Sequence, residues 1–241
     1  MSNIGIIARR ELGGYFRTPS GYLIAAATLV VQGLLFNTRA LGTGARLSSQ
    51  VLIDFLRDSS GTTTVAAVLL TMRLFAEERQ AGTLVLLFTS PVREVEIVLG
   101  KFLSAFVVLS LLVLLSVYLP AMIFVNGKVS LGHIASGYLG LLLVGAATLS
   151  LGVLGSALAR TQLMAGVLAA VFIFLLFLTW ALSRVVDPPL GTLISYFSLY
   201  EKHFFPFMRG LVQLSDIVYY VSLTYLALFA STRVIQSQRW Q

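Results

Sequence analysis

The chain alternates between long apolar stretches and short polar segments, and six of the apolar stretches are candidates for membrane-spanning helices. A helix of about 20 predominantly apolar residues crosses the hydrocarbon core of a bilayer. The stretches cover residues 21–36, 62–75, 102–125, 134–159, 163–182 and 214–230. The second stretch is short and carries Arg73 near its end, where a long side chain reaches the interface. The pattern therefore predicts an all-α integral membrane protein with six transmembrane helices.

Residues 1–19 precede the first predicted span and have the pattern of an amphipathic helix. Apolar residues recur near one helical face, at Ile4, Ile7, Leu12 and Tyr15. The charged residues Arg9, Arg10 and Glu11 lie mostly on the other faces, and Pro19 ends the pattern. A helix of this kind lies in the interface between lipid and water. Residues 1–19 are therefore predicted to form an N-terminal interfacial helix.

Two segments between the predicted spans differ from simple turns. Residues 37–61 are polar and charged, and they are predicted to form a loop with a partly helical stretch at 47–56. Residues 183–213 contain a run of aromatic residues, and they are too polar to span the membrane and too apolar for a free loop. We therefore predict that 183–213 is an outer re-entrant segment, made of short helices that dip into one leaflet before helix six.

Composition supports a membrane location, because 57% of the residues are apolar and only 11% are charged. A soluble domain has about a quarter charged residues. The formal net charge is +7, but the basic residues lie at the ends of apolar stretches, which fits anionic lipid headgroups and not nucleic acid. Six spans place both termini on one side, and that side carries the larger share of the 17 basic residues. We therefore predict a multi-pass membrane protein with cytoplasmic termini.

Motifs for catalysis or cofactor binding are missing from the sequence. It has no G-x-x-x-x-G-K-[ST] phosphate loop, no H-E-x-x-H zinc motif and no cysteine. The two histidines, His133 and His203, fall in separate predicted outer loops and are expected to be solvated or interfacial. No histidine lies within a span to activate the Ser156 hydroxyl, and Asp216 is expected at the interface, at the edge of span six. The chain is therefore predicted not to be an enzyme and to hold no cofactor. An ion-coupled transporter or pump would place ionisable groups within the spans, and their absence predicts that any energy the chain uses comes from another protein.

The polar segment at 76–100 is the most informative part of the chain. The charged residues Glu77, Glu78 and Arg79 precede a turn at Gly82-Thr83, and Leu84, Leu86 and Leu87 then form an apolar helical turn before Ser90-Pro91. A short helix held beyond the membrane by two spans transmits a push from a partner protein to those spans. The residue types alone fit a solvated loop with ordinary helix caps equally well.

The order of residues in this segment resembles the coupling region of ABC-2 type permeases. The resemblance runs from Phe75 to Pro91 and is followed by Gly100-Lys101 at the expected distance. The N-terminal run from Arg10 to Tyr22 is similar to the interfacial helix of that family, and the run from Arg209 to Tyr219 is similar to its last segment. The chain most resembles the branch that includes the gliding-motility-associated permeases.

The resemblance implies one transmembrane domain over residues 1–241, acting as half of an ABC exporter. A second permease subunit, identical or related, and two copies of a separate ATPase that carries ATP and Mg complete such an exporter. An accessory subunit with an extracytoplasmic domain accompanies some members of the branch. Matched by position, the ATPase-coupling residues are Glu77, Glu78, Arg79, Gly82 and Thr83, supported by Arg9, Arg10 and Glu11 on the interfacial helix.

Two other functions fit a membrane protein of this size. One is a structural or assembly subunit that scaffolds a complex and transports nothing. The other is an intramembrane enzyme, which the sequence disfavours because the spans lack a nucleophile paired with a base.

Overall fold

The structure is a computed structural model that describes residues 3–40, 47–83, 92–126, 129–187 and 190–239. These residues form helices joined by turns, with no strand among them. The helices are α1 (Asn3–Arg17), α2 (Pro19–Ala40), α3 (Ser48–Thr71), α4 (Ala76–Gln80), α5 (Glu94–Leu115), α6 (Tyr118–Asn126), α7 (Leu131–Leu158), α8 (Gln162–Ser183), α9 (Leu190–Ser195), α10 (Phe204–Met208) and α11 (Leu214–Arg239).

Five helical segments are long and apolar enough to cross a membrane, counted over the residues that the structure describes. They are Pro19–Thr38 in α2, Glu94–Ile123 across α5 and α6, Leu131–Leu158 as α7, Gln162–Ser183 as α8, and Leu214–Gln238 in α11. The prediction of an all-helical membrane protein is confirmed. Most of the predicted second span lies in α3, which carries the charged residues Asp54, Arg57 and Asp58 and is not among these five.

The predicted helical stretch at 47–56 is present and is longer than predicted, because α3 is one continuous helix from Ser48 to Thr71. Residues 57–61, predicted as loop, lie within this helix, and residues 37–40 belong to α2. The charges of Asp54, Arg57 and Asp58 suggested a loop. Leu52, Phe55 and Leu56, however, recur at helical spacing and are fully buried or nearly so. This apolar face packs into the bundle and keeps the polar half of the helix folded.

Helix α3 runs beside two neighbours over most of its length. Against α2 it is antiparallel: Gln32 Nε2 donates to Thr62 Oγ1 at 3.0 Å, and the Phe36 and Phe55 rings meet edge to face at 5.6 Å. Against α7 it is parallel, because Leu56 and Thr71 of α3 lie against two glycines of α7 that are themselves 15 positions apart, Gly137 and Gly152. Helix α3 therefore covers the same height of the bundle as its neighbours.

Helix α7 lies at the centre, where it packs against α3, α5, α8 and α11. Its small residues make this possible, because helix backbones approach closely only where side chains are short. At Gly155 an added Cβ would lie 2.9 Å from the backbone nitrogen of Ala169 in α8, and at Gly140 it would lie 2.7 Å from the Cβ of Phe207 in α10. The glycine-rich pattern of this span therefore serves packing within the chain.

Replacement of Gly155 by alanine is expected to lower the free energy of unfolding by about 1–3 kcal/mol, since the new methyl group meets the α8 backbone. The matched control is Gly33→Ala in α2, where nothing lies within 4 Å of the added Cβ. That substitution should be neutral or stabilise the helix by up to about 1 kcal/mol. Thermal unfolding of both variants in one detergent measures the difference. Equal effects at the two positions would contradict the close approach of α7 and α8.

The segment predicted at 183–213 contains α9 and α10, at the end of the bundle opposite α1 and α4. Phe204, Phe207 and Met208 of α10 are buried. The Ser136 hydroxyl of α7 donates to the carbonyl of Phe207 at 3.2 Å, which fixes α10 against α7. The predicted short helices are therefore present, and the dip into one leaflet stays a prediction.

The histidines were predicted to be solvated or interfacial loop residues, and the structure shows a different environment for both. His133 lies in the first turn of α7, and its Nε2 atom is 2.6 Å from the carbonyl oxygen of Met208. His203 is buried and therefore not solvated, and its Nδ1 atom is 2.8 Å from Oδ1 of Asp216, which is also buried. The interfacial position of Asp216 stays a prediction. The aromatic run folds over the first turn of α11 and excludes water from this pair, an arrangement that the local sequence does not reveal.

Candidate functional site

The candidate site is the charged cluster where α1, α4 and the start of α5 meet. Helix α4 begins where the Ser156 hydroxyl of α7 accepts hydrogen bonds from the backbone amides of Phe75 and Ala76, at 3.0 and 3.2 Å. It ends at Gln80, shortly before Gly82, whose φ of 69° lies in the left-handed region that favours glycine. The Thr83 amide then donates to the carbonyl of Glu78 at 3.0 Å. The sequence-predicted Gly-Thr turn is therefore the stop signal of α4.

Lys101 of α5 is the buried centre of the cluster, with 1% of its side chain exposed. Its ammonium group lies 3.0 Å from Oε1 of Glu11 and 3.0 Å from Oε1 of Glu78, and it donates to the Leu74 carbonyl at 2.7 Å. A lysine has three N–H donors, so these three acceptors satisfy it completely. One buried cation therefore joins α1, α4, α5 and the turn between α3 and α4.

Two arginines extend the cluster toward the surface. Arg10 is 68% exposed, and it lies 3.3 Å from Oε1 of Glu78. Arg73 donates to Oε2 of Glu77 at 2.9 Å, and it also bonds the hydroxyl of Ser20 at the start of α2. Exposed pairs of this kind contribute little stability. The strong part of the cluster is therefore the buried lysine, and the arginines set its outer edge.

The residue before Lys101 explains how α1 comes close enough to form these contacts. A Cβ at Gly100 would lie 2.9 Å from the Cβ of Ile7 in α1, so α1 crosses α5 at a position where only glycine fits. On the other face of the crossing, the Tyr15 hydroxyl donates to the carbonyl of Leu70 at 2.7 Å. Burial, and then the Glu11 charge, raise the pKa of Tyr15, so this hydroxyl stays a donor. The Gly100-Lys101 pair thus provides both the space and the charge that hold α1.

Arg79 lies on the other side of α4 and contacts two further helices. Its guanidinium group donates to the carbonyls of Ala159 at 2.6 Å and Ala157 at 2.9 Å, at the C-terminal end of α7. The same group bonds the side chain of Gln238, in the last turn of α11. Burial, together with the nearby Arg160, lowers the pKa of Arg79, but a guanidinium stays charged in proteins. A cation at a helix C-terminus also interacts favourably with the helix dipole.

The structure brings most of the sequence-predicted coupling residues together. Glu11, Glu78 and Arg10 share the lysine cluster, while Arg79 joins α4 to α7 and α11. Arg9 and the turn residues Gly82 and Thr83 are exposed nearby. The predicted apolar anchor formed by Leu84, Leu86 and Leu87 lies outside the described residues.

Three residues of the site were not assigned a role in the sequence analysis. Lys101 was noted only as part of a motif, Arg73 only as a residue at the end of a span, and Ser156 only as a hydroxyl without a base. The roles of all three depend on partners far away in the chain, such as Glu11 for Lys101 and Phe75 for Ser156. The sequence signal that could have suggested a paired charge is a lysine directly after a glycine at the start of an apolar stretch.

The sequence was compared with models of known protein families. Residues 2–181 match the model described as ABC-2 type transporter. The chain belongs to that family. A comparison with curated proteins found no significant match. The match assigns the family and no branch within it, so the similarity to gliding-motility-associated permeases stays a prediction.

Membership of the ABC-2 family and the five apolar helices together identify the chain as a multi-pass membrane component of an ABC transporter. ABC-2 membrane domains are transporter permeases and are typically non-catalytic. The charged side chains where α1 and α4 meet are compatible with a permease. They form ion pairs, and Arg79 caps the C-terminal end of α7. The arrangement joins α1, α4, α5, α7 and α11 through charged contacts.

Proposed function

We propose that the chain is the permease subunit of an ATP-driven ABC exporter, in which a separate ATPase moves α4 and the adjoining α1. The observation that carries this proposal is the double attachment of α4. Its Glu78 is held by Lys101 of α5, and its Arg79 is held by the C-terminal end of α7 and the last turn of α11. A displacement of α4 is passed directly to α5, α7 and α11.

The exposed edge of α4 is the side that the ATPase would contact. Glu77, Gln80 and Thr83 are exposed, whereas Ala76 is fully buried. Among the predicted coupling residues, we therefore infer that Glu77, Gly82, Thr83 and Arg9 offer direct contacts to the ATPase. Glu11, Glu78 and Arg79 act from inside the protein, because their partners lie in the same chain. Arg10 belongs to both groups, because it is exposed and also contacts Glu78.

The topology supports six crossings with both ends on one side. Helix α1 and the last turn of α11 lie at the same end of the bundle, because α4 contacts both. Ends on the same side need an even number of crossings, and α3 supplies the sixth beside the five apolar segments. The positive-inside rule makes this end cytoplasmic in a bacterial inner membrane. The cytoplasmic coupling region at 76–100 then faces the ATPase, and 183–213 is the outer re-entrant segment.

The working exporter contains more than this chain. We infer a dimer of permease subunits, identical or related, two ATPase subunits that bind ATP and Mg, and surrounding lipid. An accessory subunit with an extracytoplasmic domain would meet the opposite end, around α9 and α10. Nucleic acid is not expected among the partners, because the basic residues lie at the ends of the apolar stretches, as in other membrane proteins.

Replacement of Glu77 by lysine tests the proposed contact, because Glu77 is about half exposed and pairs only at the surface with Arg73. The variant should reduce ATPase copurification about tenfold, as expected for a charge reversed in an interface, while thermal stability stays unchanged. The control is Glu201→Lys, an exposed carboxylate at the opposite end, which should bind the ATPase normally.

Reversal of Glu78 is not an equivalent test. A lysine at position 78 would lie beside Lys101 and Arg10, so it should destabilise the chain itself. Wild-type ATPase binding and ATP turnover in the Glu77→Lys variant would contradict the coupling contact. If no ATPase copurifies with the native chain at all, the scaffold function described above replaces transport.

A further inference from the structure

The buried pair of His203 and Asp216 has no part in the coupling described above. His203 precedes α10, and Asp216 lies in the first turn of α11. The Nδ1 atom of His203 is 2.8 Å from Asp216 Oδ1, and its Nε2 atom is 3.1 Å from the carbonyl oxygen of Tyr196. Both ring nitrogens therefore face an oxygen acceptor at hydrogen-bond distance.

This geometry requires one proton more than a neutral histidine beside an ionised aspartate. A neutral imidazole has one N–H donor and one bare nitrogen. If the proton is on Nε2, the bare Nδ1 faces the carboxylate, and if it is on Nδ1, the bare Nε2 faces a carbonyl. Either an imidazolium with a carboxylate, or a neutral ring with a protonated Asp216, satisfies both contacts. The pair holds the extra proton in both cases.

The pair is one of three attachments between the segment at 196–203 and α11. The Tyr219 hydroxyl donates to the carbonyl of Phe197 at 2.9 Å, and the Tyr220 hydroxyl donates to the carbonyl of Leu199 at 2.6 Å. The His203 ring also stacks on the Tyr219 ring, with centroids 3.9 Å apart. The attachment is therefore continuous along the first turns of α11.

The other titratable groups nearby do not provide a competing proton site. The phenols of Tyr219 and Tyr220 donate to carbonyls, and the phenol of Tyr200 bonds the Thr64 hydroxyl of α3. Two cations face aromatic rings instead of the pair, Lys202 over Tyr196 and Arg209 over Phe205, and Glu201 is exposed. From α7, the ring of His133 contacts Met208 and has one acceptor in reach, so a neutral ring satisfies it.

We propose that His203 and Asp216 form a buried proton-binding site that fastens the segment at 196–203 to α11. When the proton leaves to water, one of the two His203 contacts becomes repulsive, which weakens the attachment of the segment to α11 and makes its separation more frequent. The outer end of the bundle is therefore closed at low pH and loosened as the pH rises. This site does not depend on the proposed transport function, because it concerns the chain alone.

Cysteine labelling of the native full-length chain tests the site, since the chain contains no cysteine. Ser198 is 2% exposed and lies within the fastened segment, so a Ser198→Cys thiol is accessible only when the segment separates. The reaction rate with a soluble maleimide is measured in detergent between about pH 5.5 and 8.5, the range around which histidine titrates. Val185→Cys, which is 82% exposed, corrects for thiolate formation. The corrected rate should rise roughly tenfold or more with pH.

Three substitutions in the Ser198→Cys background separate the possibilities. Asp216→Asn should stay slow at every pH, because the asparagine amide donates to a bare Nδ1 while Nε2–H donates to Tyr196. His203→Ala should be fast at every pH, because both contacts are lost. His133→Ala, the matched histidine control, should keep the rise of the parent protein.

Two results would overturn the proposal. One is a corrected rate that does not change with pH in the protein that keeps His203 and Asp216. The other is a pH-dependent rise that survives in the Asp216→Asn variant. Each of these two is read from proteins that keep the histidine ring, so a folding failure of His203→Ala leaves the test intact.

Discussion

Replacement of Lys101 by methionine is expected to lower the free energy of unfolding by about 3 kcal/mol, near the lower end of the effect of breaking a buried ion pair. Methionine keeps the length of the side chain but leaves Glu11 and Glu78 without their shared cation. Arg10 compensates in part, because it already lies 3.3 Å from Glu78. Thermal or denaturant unfolding in detergent measures the loss.

The control for this variant is Arg17→Met, which removes an exposed cation from the end of α1. Its effect should stay within about 0.5 kcal/mol. The charge explanation is tested further by adding Glu11→Gln and Glu78→Gln to the methionine variant. Neutral amides no longer need the cation, so the triple variant should be more stable than Lys101→Met alone. A further loss would show that Lys101 acts through packing and not through charge.

Replacement of Arg79 by methionine is expected to cost about 2–3 kcal/mol in the free energy of unfolding and to uncouple ATP hydrolysis from movement of the helices. The variant leaves the carbonyls of Ala157 and Ala159 without a charged donor at the end of α7. It also removes the bond from α4 to Gln238 of α11. Stability is measured by unfolding, and coupling by the difference in ATPase turnover with and without the permease.

Arg79→Lys is the informative companion, because a lysine keeps the charge and lacks the planar fork of donors. It should be intermediate in both measurements, whereas Arg17→Met, at an exposed cation at the end of α1, should match the native protein. If Arg79→Met keeps native turnover and stability, α4 does not act through α7 and α11, and the proposed path of force is wrong.

The sequence was sufficient for the parts of the fold that have a strong local pattern. Helix α1 was predicted at 1–19 and is observed at Asn3–Arg17, because its apolar face repeats at helical spacing and Pro19 ends it. The apolar spans were equally accessible, since the hydropathy of α7 and α8 is high over their whole length. In α3, by contrast, Asp54, Arg57 and Asp58 interrupt the apolar signal, and the helix depends on packing against α2 and α7.

The site was predictable in its residue types and not in its geometry. The charged run at Glu77–Arg79 marks α4, but nothing local shows that Glu78 and Arg79 face opposite partners. Lys101 and Glu11 are 90 positions apart, and their contact arises only after α1 crosses α5 at Gly100. The burial of His203 was missed for a related reason, because it depends on how the aromatic run folds over α11.

Helix α11 lies beyond the matched family region at 2–181, yet it touches both functional ends of the molecule. Its last turn meets Arg79 of α4, and its first turn carries Asp216. As a rod of 26 residues it measures about 39 Å. Because a helix of this length bends only gently, α11 connects the Arg79 contact at one end of the bundle to His203 and Asp216 at the other as a single rod. In the proposed exporter, movement of α4 and proton binding at the His203–Asp216 pair would therefore act on the same helix.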